Sequence, residues 1–256
     1  MLTVNEIKER LLNVEKDYGI KVLYACESGS RAWNFNSKDS DYDIRFLYVR
    51  RPEDYIAIES PRDVVEVPGD ALWDMSGWDL SKALKLLVKG NTNLIEWLRS
   101  PIVYIENTEL CQEMLDLVSR MVSFEQLFYS YQGFARAHFK AYLQGEEVWL
   151  KKYLYVMRPL LSAYWIEKEG RLPPIVFERM LVRAGEEHPY LLEPMQKLLE
   201  RKRNGLERES GPRLAELDRF IDLMLNKTYQ GPKAEKEIFE EALNSVFRKY
   251  VLSRSK

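Results

Sequence analysis

Asp41 and Asp43 stand two residues apart at the head of the alternating run DYDIRFLYV, ten residues after the small-residue turn Ser28-Gly29-Ser30. A strand sends successive side chains to opposite faces, so Asp41, Asp43 and Arg45 are expected on one face and Tyr42, Ile44 and Phe46 on the other. Two carboxylates held that close repel at neutral pH unless a positive charge lies between them. A hard, oxygen-seeking divalent cation, magnesium above all, is the natural counter-charge. Ser28-Gly29-Ser30 adds backbone N–H groups and hydroxyls that can approach phosphate oxygens closely. Magnesium, phosphate and paired aspartates together make the kit of phosphoryl and nucleotidyl transfer, in which metals brace the entering and leaving oxygens. Taken singly, each part has a plainer explanation: an aspartate pair on a surface strand, and an ordinary turn.

The combination is more specific than its parts. Gly29-Ser30, ten residues, and Asp41-x-Asp43 opening an apolar strand resemble the signature of the DNA polymerase β superfamily of nucleotidyltransferases. The segments GSRAW, DSDYDIRFLYVR, GWDLSKALKLL, GNTNLIEWLRSP and KKYLYVMRPLL further resemble the RlaP or YcgL family, which is associated with RNA repair. The resemblance spans roughly residues 20 to 185. It implies that Ser28, Gly29 and Ser30 hold an NTP triphosphate, that Asp41 and Asp43 bind Mg2+ (or Mn2+), and that a third carboxylate lies on a neighbouring strand. Asp74 and Asp79 are the candidates for that third position. Asp74 falls in the strand-like LWDMS, whereas Asp79 precedes a helix as its N-cap, so Asp74 is preferred to complete the expected catalytic and metal-binding set with Asp41 and Asp43, and Asp79 is the alternative. The nearest candidate for a general base toward the acceptor is also Asp74.

Phosphate charge calls for cations. Lys152, Tyr155 and Arg158 recur every three residues on an expected helix and share one broad face, where Lys or Arg can meet phosphates and Tyr can stack. A snorkelling edge of a core helix has the same pattern. Arg31, beside the Gly-Ser turn, and Lys82, on the helix after the third carboxylate, complete the nucleotide-binding candidates, and Lys85 is a lesser one. Arg45 reads better as charge balance for Asp43. Asn93 and Glu96 read as helix capping. Arg136 and Lys140, with Tyr129 and Gln132 nearby, form either a solvated face or an acceptor track. His138 and His188, fifty residues apart, make no metal or triad motif, and Trp33 and Trp78 are expected in packing.

Several elements must position these groups. A helix over residues 4 to 18 with a Thr3–Glu6 capping box, strand runs at 21–26, 41–49, 64–67 and 71–76, and a helix over 80–89 read as an α+β domain with a small mixed sheet. After residue 107 the apolar spacing is helical: 108–122, 124–144, 148–169, 174–184, 190–203, 213–226 and 234–253. The expected organisation is a nucleotidyltransferase catalytic domain over 1–106 and a helical domain over 107–256. The net charge of −2 divides unevenly, with 18 acidic against 14 basic groups in residues 1–106 and 10 basic against 6 acidic in 120–183. That asymmetry suits a metal and a triphosphate held between an acidic lobe and a basic one.

Composition narrows the class. With 46% hydrophobic and 30% charged residues the chain is globular, and a near-neutral total gives no global field for nucleic acid or membranes. Two distant cysteines, no signal-like leader and no apolar stretch of membrane-spanning length lead to a cytoplasmic expectation with no membrane partner. The oligomeric state stays open. The function expected is transfer of a nucleoside monophosphate from an NTP to a hydroxyl, with an RNA end as the acceptor the family association suggests. The alternatives are transfer to a small molecule or protein, as in AMPylation, and a catalytically idle nucleotide-binding or interaction protein such as an antitoxin; retention of both Asp41 and Asp43 argues against the idle form.

Overall fold

The structure, a computed structural model, describes residues 2–70, 72–205, 209–233, 237 and 239–255. In chain order its elements are α1 (Val4–Tyr18), β1 (Lys21–Glu27), a single turn α2 (Gly29–Ala32), β2 (Tyr42–Val49), a single turn α3 (Pro52–Tyr55), β3 (Val64–Asp70), β4 (Trp73–Asp79), α4 (Leu80–Val88), α5 (Thr92–Trp97), β5 (Val103–Ile105), α6 (Thr108–Met121), α7 (Phe124–Tyr142), β6 (Glu147–Trp149), α8 (Lys151–Glu169), α9 (Phe177–Glu187), α10 (Leu192–Arg203), β7 (Ser210–Pro212), α11 (Ala215–Leu225) and α12 (Glu240–Leu252). Most follow the hydrophobic periods of the sequence. Val148 is the main departure, sitting in β6 rather than opening the long helix, because its segment pairs with β7. Ala71, and Ala234 and Ile238 at the start of the expected last helix, lie outside the described residues.

The chain forms two compact units: Met1–Ala32, Asp41–Val122 and Lys236–Lys256 in the first, Trp33–Ser40 and Ser123–Glu235 in the second. A single cut at 106/107 therefore gives way to an interleaved division. In the first unit a mixed five-stranded sheet runs β3-β4-β2-β1-β5, with β2 and β4 parallel and the other pairs antiparallel. The Thr3–Glu6 capping box starts α1, Gly19 ends it at φ 60°, and Ile7, Leu11 and Val14 at helical spacing bury its inner stripe. That stripe joins Tyr42, Ile44, Phe46 and Tyr48 of β2 and Met75 of β4 in one core. Gly77 permits close packing there, since a Cβ would lie 2.0 Å from the Phe46 ring. The opposite face of β2 and β4 pairs Leu47 with Trp78, and Trp78 packs on Trp97 of α5 at 4.0 Å. Toward the strand starts the same face turns polar.

In the second unit α7 and α8 are long neighbours joined by α9, α10 and α11. Residues 33–40, between the two sequence motifs, are built into this unit rather than forming a free loop. Phe35 is fully buried among the rings of Trp33, Tyr155 and Phe177, and the Phe177 amide donates to the Trp33 carbonyl at 3.1 Å. Arg203 Nη2 donates to the Asn34 carbonyl at 3.0 Å, and Lys202 Nζ to Ser40 Oγ at 3.4 Å. No helix among the described residues is long and apolar enough to cross a membrane.

Candidate active site

The parallel register of β2 and β4 sets Asp43 directly opposite Asp74. Alternation on β2 is as expected: Tyr42, Ile44 and Phe46 are buried, Asp43 and Arg45 half-buried, and Asp41 exposed at the strand's head. Arg45 lies between the facing carboxylates. Its Nη2 donates to Asp43 Oδ1 at 3.0 Å and to Asp74 Oδ2 at 2.7 Å, while Nη1 donates to the Asp74 carbonyl at 3.1 Å. Charge balance at Asp43 thus extends to Asp74. Burial, followed by repulsion from Asp41 and Asp74, pushes the Asp43 carboxyl above its ordinary range, against the opposing pull of Arg45.

A variant follows from this geometry. Arg45→Ala leaves two facing carboxylates with no guanidinium between them. In a chelator it is expected to lose roughly 1–2 kcal/mol of stability, and added Mg2+ to raise its Tm more than it raises that of the unaltered protein. Equal Tm responses in a thermal-shift titration would contradict that.

The Gly-Ser turn is fastened to the same strand. The Ser28 amide donates to the Asp43 carbonyl at 2.8 Å, so it serves the fold. Gly29 has φ +60° and a Cβ there would fall 1.9 Å from Asp43 Oδ2. Both facts require glycine. Gly29→Ala is expected to cost about 1–2 kcal/mol from the left-handed backbone alone and to rotate the Asp43 carboxylate; denaturant unfolding reads the first effect. Ser30 is buried in the single turn α2. Arg31 Nε donates to the Asp41 carbonyl at 3.0 Å, and its guanidinium stacks 3.8 Å over the Tyr42 ring.

Glu27 escaped the reading of the sequence. It ends β1 with 0% exposure. Its Oε1 accepts from the Asp43 amide at 2.8 Å, and its Oε2 accepts from the Tyr104 hydroxyl of β5. Burial pushes its carboxyl up to about 7, despite the hydrogen bonds from Tyr104 and the Asp43 backbone. The signal available was an acidic residue closing an apolar strand run just before the turn.

Other expected residues lie elsewhere. Asp79 is buried as the N-cap of α4, accepting from the Ser81 amide at 2.8 Å and the Tyr55 hydroxyl at 2.7 Å. Lys82 does not meet the carboxylates. It pairs with Asp63 at 3.1 Å, beside the end of β4, five residues and roughly 16 Å along the strand from Asp74. Lys85 is exposed on α4. Asn91, not Asn93, caps α5, its side chain accepting from the Leu94 amide at 3.0 Å. Burial raises the thiols of Cys26 and Cys111, the latter to about 11, so neither is a ready nucleophile.

In the second unit, Lys152, Tyr155 and Arg158 lie on α8 as expected. Arg158 is buried with its guanidinium 4.2 Å over Trp33, which is the packing alternative. Lys152 Nζ sits 3.8 Å over the Tyr142 ring and 5.6 Å over Tyr155. Gln132 and Arg136 serve packing, donating to carbonyls at the end of α11: Gln132 Nε2 to Met224 at 2.9 Å, and Arg136 Nη2 to Leu225. His188 is a packing residue beside Tyr164, Tyr190 and Phe220.

The donor set can be tested against a divalent cation. Asp41 and Asp43 offer hard carboxylate oxygens at one strand head, close enough in charge for Asp41 to lift Asp43, and that pair fits. Asp74 is already engaged by Arg45, and among the described residues no group of three His, Cys, Asp or Glu is arranged to hold a metal ion.

Comparison with known proteins places this geometry in context. The model of the family described as "RlaP: RNA repair pathway DNA polymerase beta family" matches residues 4–249. The chain is 44% identical over 243 residues to the uncharacterized protein YcgL of Bacillus subtilis (strain 168), covering 94% of this chain and 93% of that one. A crystal structure of a nucleotidyltransferase-like protein from Exiguobacterium sibiricum 255-15 is similar at 12% identity and TM-score 0.31, covering 98% of this chain and 80% of that one.

Proposed function

Because the chain belongs to the RlaP family of RNA repair pathway DNA polymerase beta proteins, we propose that it is a metal-dependent enzyme moving a nucleoside monophosphate from an NTP to a hydroxyl acceptor, an RNA end, with release of pyrophosphate. The observation that carries this reading is the facing pair Asp43–Asp74 on adjacent parallel strands, with Gly29 pressed against the Asp43 carboxylate.

Asp41 and Asp43 are the residues that would hold Mg2+ or Mn2+. When bound, such a cation supplies charge neutralisation at the triphosphate and lowers the pKa of an acceptor hydroxyl. The protein's own groups do the rest. Gly29 and Ser30 receive the phosphates, and Arg31, anchored on Tyr42 and the Asp41 carbonyl, adds a fixed positive charge beside them. Asp74, exposed and opposite Asp43, would take the acceptor's proton once it exchanges Arg45 for the hydroxyl, a role that its register and exposure support. Glu27 holds the Asp43 backbone and so sets where β2 delivers its carboxylate.

The test is direct. Purified protein is incubated with each labelled NTP, Mg2+ or Mn2+, and total RNA. Label in RNA supports the reading; label only in small molecules or in protein moves the acceptor to those classes, and no label with any NTP overturns the transferase reading.

A further inference from the structure

The second unit carries a row of aromatic rings to which the proposed transfer mechanism assigns no role. Phe134, His138 and Tyr142 follow one another at four-residue spacing on α7, which brings them along one edge of the helix. Phe134 stacks on His138 at 5.1 Å and 29°, and His138 lies 5.8 Å from Tyr142. Tyr155 of α8 runs parallel to His138, 6.5 Å away and tilted by 10°. The end rings are open: Phe134 is 47% exposed and Tyr142 43%, and Trp149 on β6 is 53% exposed.

Cations border these rings. Lys152 Nζ lies 3.8 Å over Tyr142, and Lys151 Nζ 6.0 Å over Trp149. Burial and the neighbouring Lys152 both depress the His138 pKa, which keeps that ring an uncharged stacking partner at neutral pH. From residue 126 to 166 the chain has five basic side chains against two acidic ones, Glu146 and Glu147. Arg136 and Gln132 are occupied with the backbone at the end of α11, so the ring edge is a separate surface from the one that braces the fold.

Exposed rings in a row gain nothing for a monomer, because each leaves a large apolar face in water. Their partner must offer flat faces and negative charge together. An apolar helix would match the rings but strand the lysines, and an acidic peptide would match the lysines but not the rings. A nucleic-acid duplex hides its base faces. A single strand offers bases to stack and phosphates to pair, with little dependence on which base is present.

We propose that the exposed edge of α7, with Trp149 and the start of α8, binds single-stranded RNA: bases stack on Phe134, Tyr142 and Trp149, and phosphates meet Lys151 and Lys152. The proposal rests on the RNA-acceptor reading for its choice of RNA, but binding is measured without catalysis.

The probe is a fluorescein-labelled single-stranded RNA of twelve mixed nucleotides, followed by anisotropy and compared with the same sequence as a duplex. The single strand is expected to bind more tightly. Phe134→Ala and Tyr142→Ala each weaken it about tenfold, Phe134→Leu does nearly as much because it keeps apolar area without a stacking face, and Phe134→Tyr retains binding. Replacing both Lys151 and Lys152 by Gln lowers the slope of log Kd against log salt by about 1.4. Undetectable single-strand binding, equal affinity for the duplex, or ring variants that bind as the unaltered protein does would overturn the proposal, whatever the transfer assay shows. Loss of transfer to RNA with ring-dependent binding intact overturns only the catalytic reading.

Discussion

Asp43→Asn is expected to abolish nucleotidyl transfer while leaving the protein as stable as before or more so. The two effects have opposite signs because the carboxylate is costly to the fold and needed by the chemistry. Burial and the charges of Asp41 and Asp74 already push Asp43 toward its neutral form, so a neutral amide of the same shape relieves that penalty. The substituted amide still offers an oxygen to Arg45, and the guanidinium keeps its 2.7 Å bond to Asp74. Catalysis loses a negative ligand for which an amide oxygen is a poor substitute. A deficit of about 10³-fold or more, equivalent to roughly 4 kcal/mol in the transition state, is the scale expected when a charged group acting directly on the reacting phosphates is removed. Asp41→Asn should show the same loss of transfer. Measuring labelled product beside Tm separates the outcomes: full transfer by Asp43→Asn would remove the aspartate mechanism, and a large fall in Tm would show that Asp43 braces the strand.

Much of this site could be read from the sequence because its elements obey short-range rules. The alternation of DYDIRFLYV sorts Asp43 and Arg45 from Ile44 and Phe46 before any tertiary contact is known, and Asp79 before LSKALKLL gives away an N-cap. Asp74 and Asp79 both lie on β4 and differ in position: Asp79 closes the strand and caps α4, whereas Asp74 lies near its start, opposite Asp43. What the sequence withheld depends on register and long-range packing. Arg45 reaches Asp74 only because β2 and β4 pair in parallel with Asp43 opposite Asp74, and nothing local encodes that register. Lys82 looked close to Asp74 in sequence, yet the length of β4 carries it to the far end of the sheet, where Asp63 takes it. Segment 33–40 has the composition of a loop, dominated by Asn, Ser and Asp, and only Trp33 and Phe35 betray its burial in the second unit. The ladder on α7 has a visible four-residue period, but exposure, not spacing, distinguishes it from a core stripe.

Glu27 gives the second large effect, on stability. Glu27→Ala removes the acceptor for the Asp43 amide and for the Tyr104 hydroxyl at a position with 0% exposure. Two buried donors left without partners, plus the cavity, are expected to cost about 3–5 kcal/mol. Glu27→Gln keeps an oxygen toward the Asp43 amide and turns its amide toward the Tyr104 oxygen, which can accept, so it separates hydrogen bonding from charge. Burial raises the folded-state carboxyl from 4.5 to about 7. A raised acid binds its proton more tightly in the folded protein, so the associated stability is complete below about pH 4.5 and is lost as pH climbs to about 7. Glutamine does not titrate. In chelator, urea unfolding should therefore find Glu27→Gln gaining on the unaltered protein by about 3 kcal/mol over that interval; a pH-independent difference would mean that Glu27 stays ionised in the fold. The same residue links this buried acid to catalysis, since the amide it holds belongs to Asp43. Glu27→Gln should keep nucleotidyl transfer, and Glu27→Ala should lose it at temperatures where the chain remains folded, because β2 then no longer fixes where the Asp43 carboxylate stands.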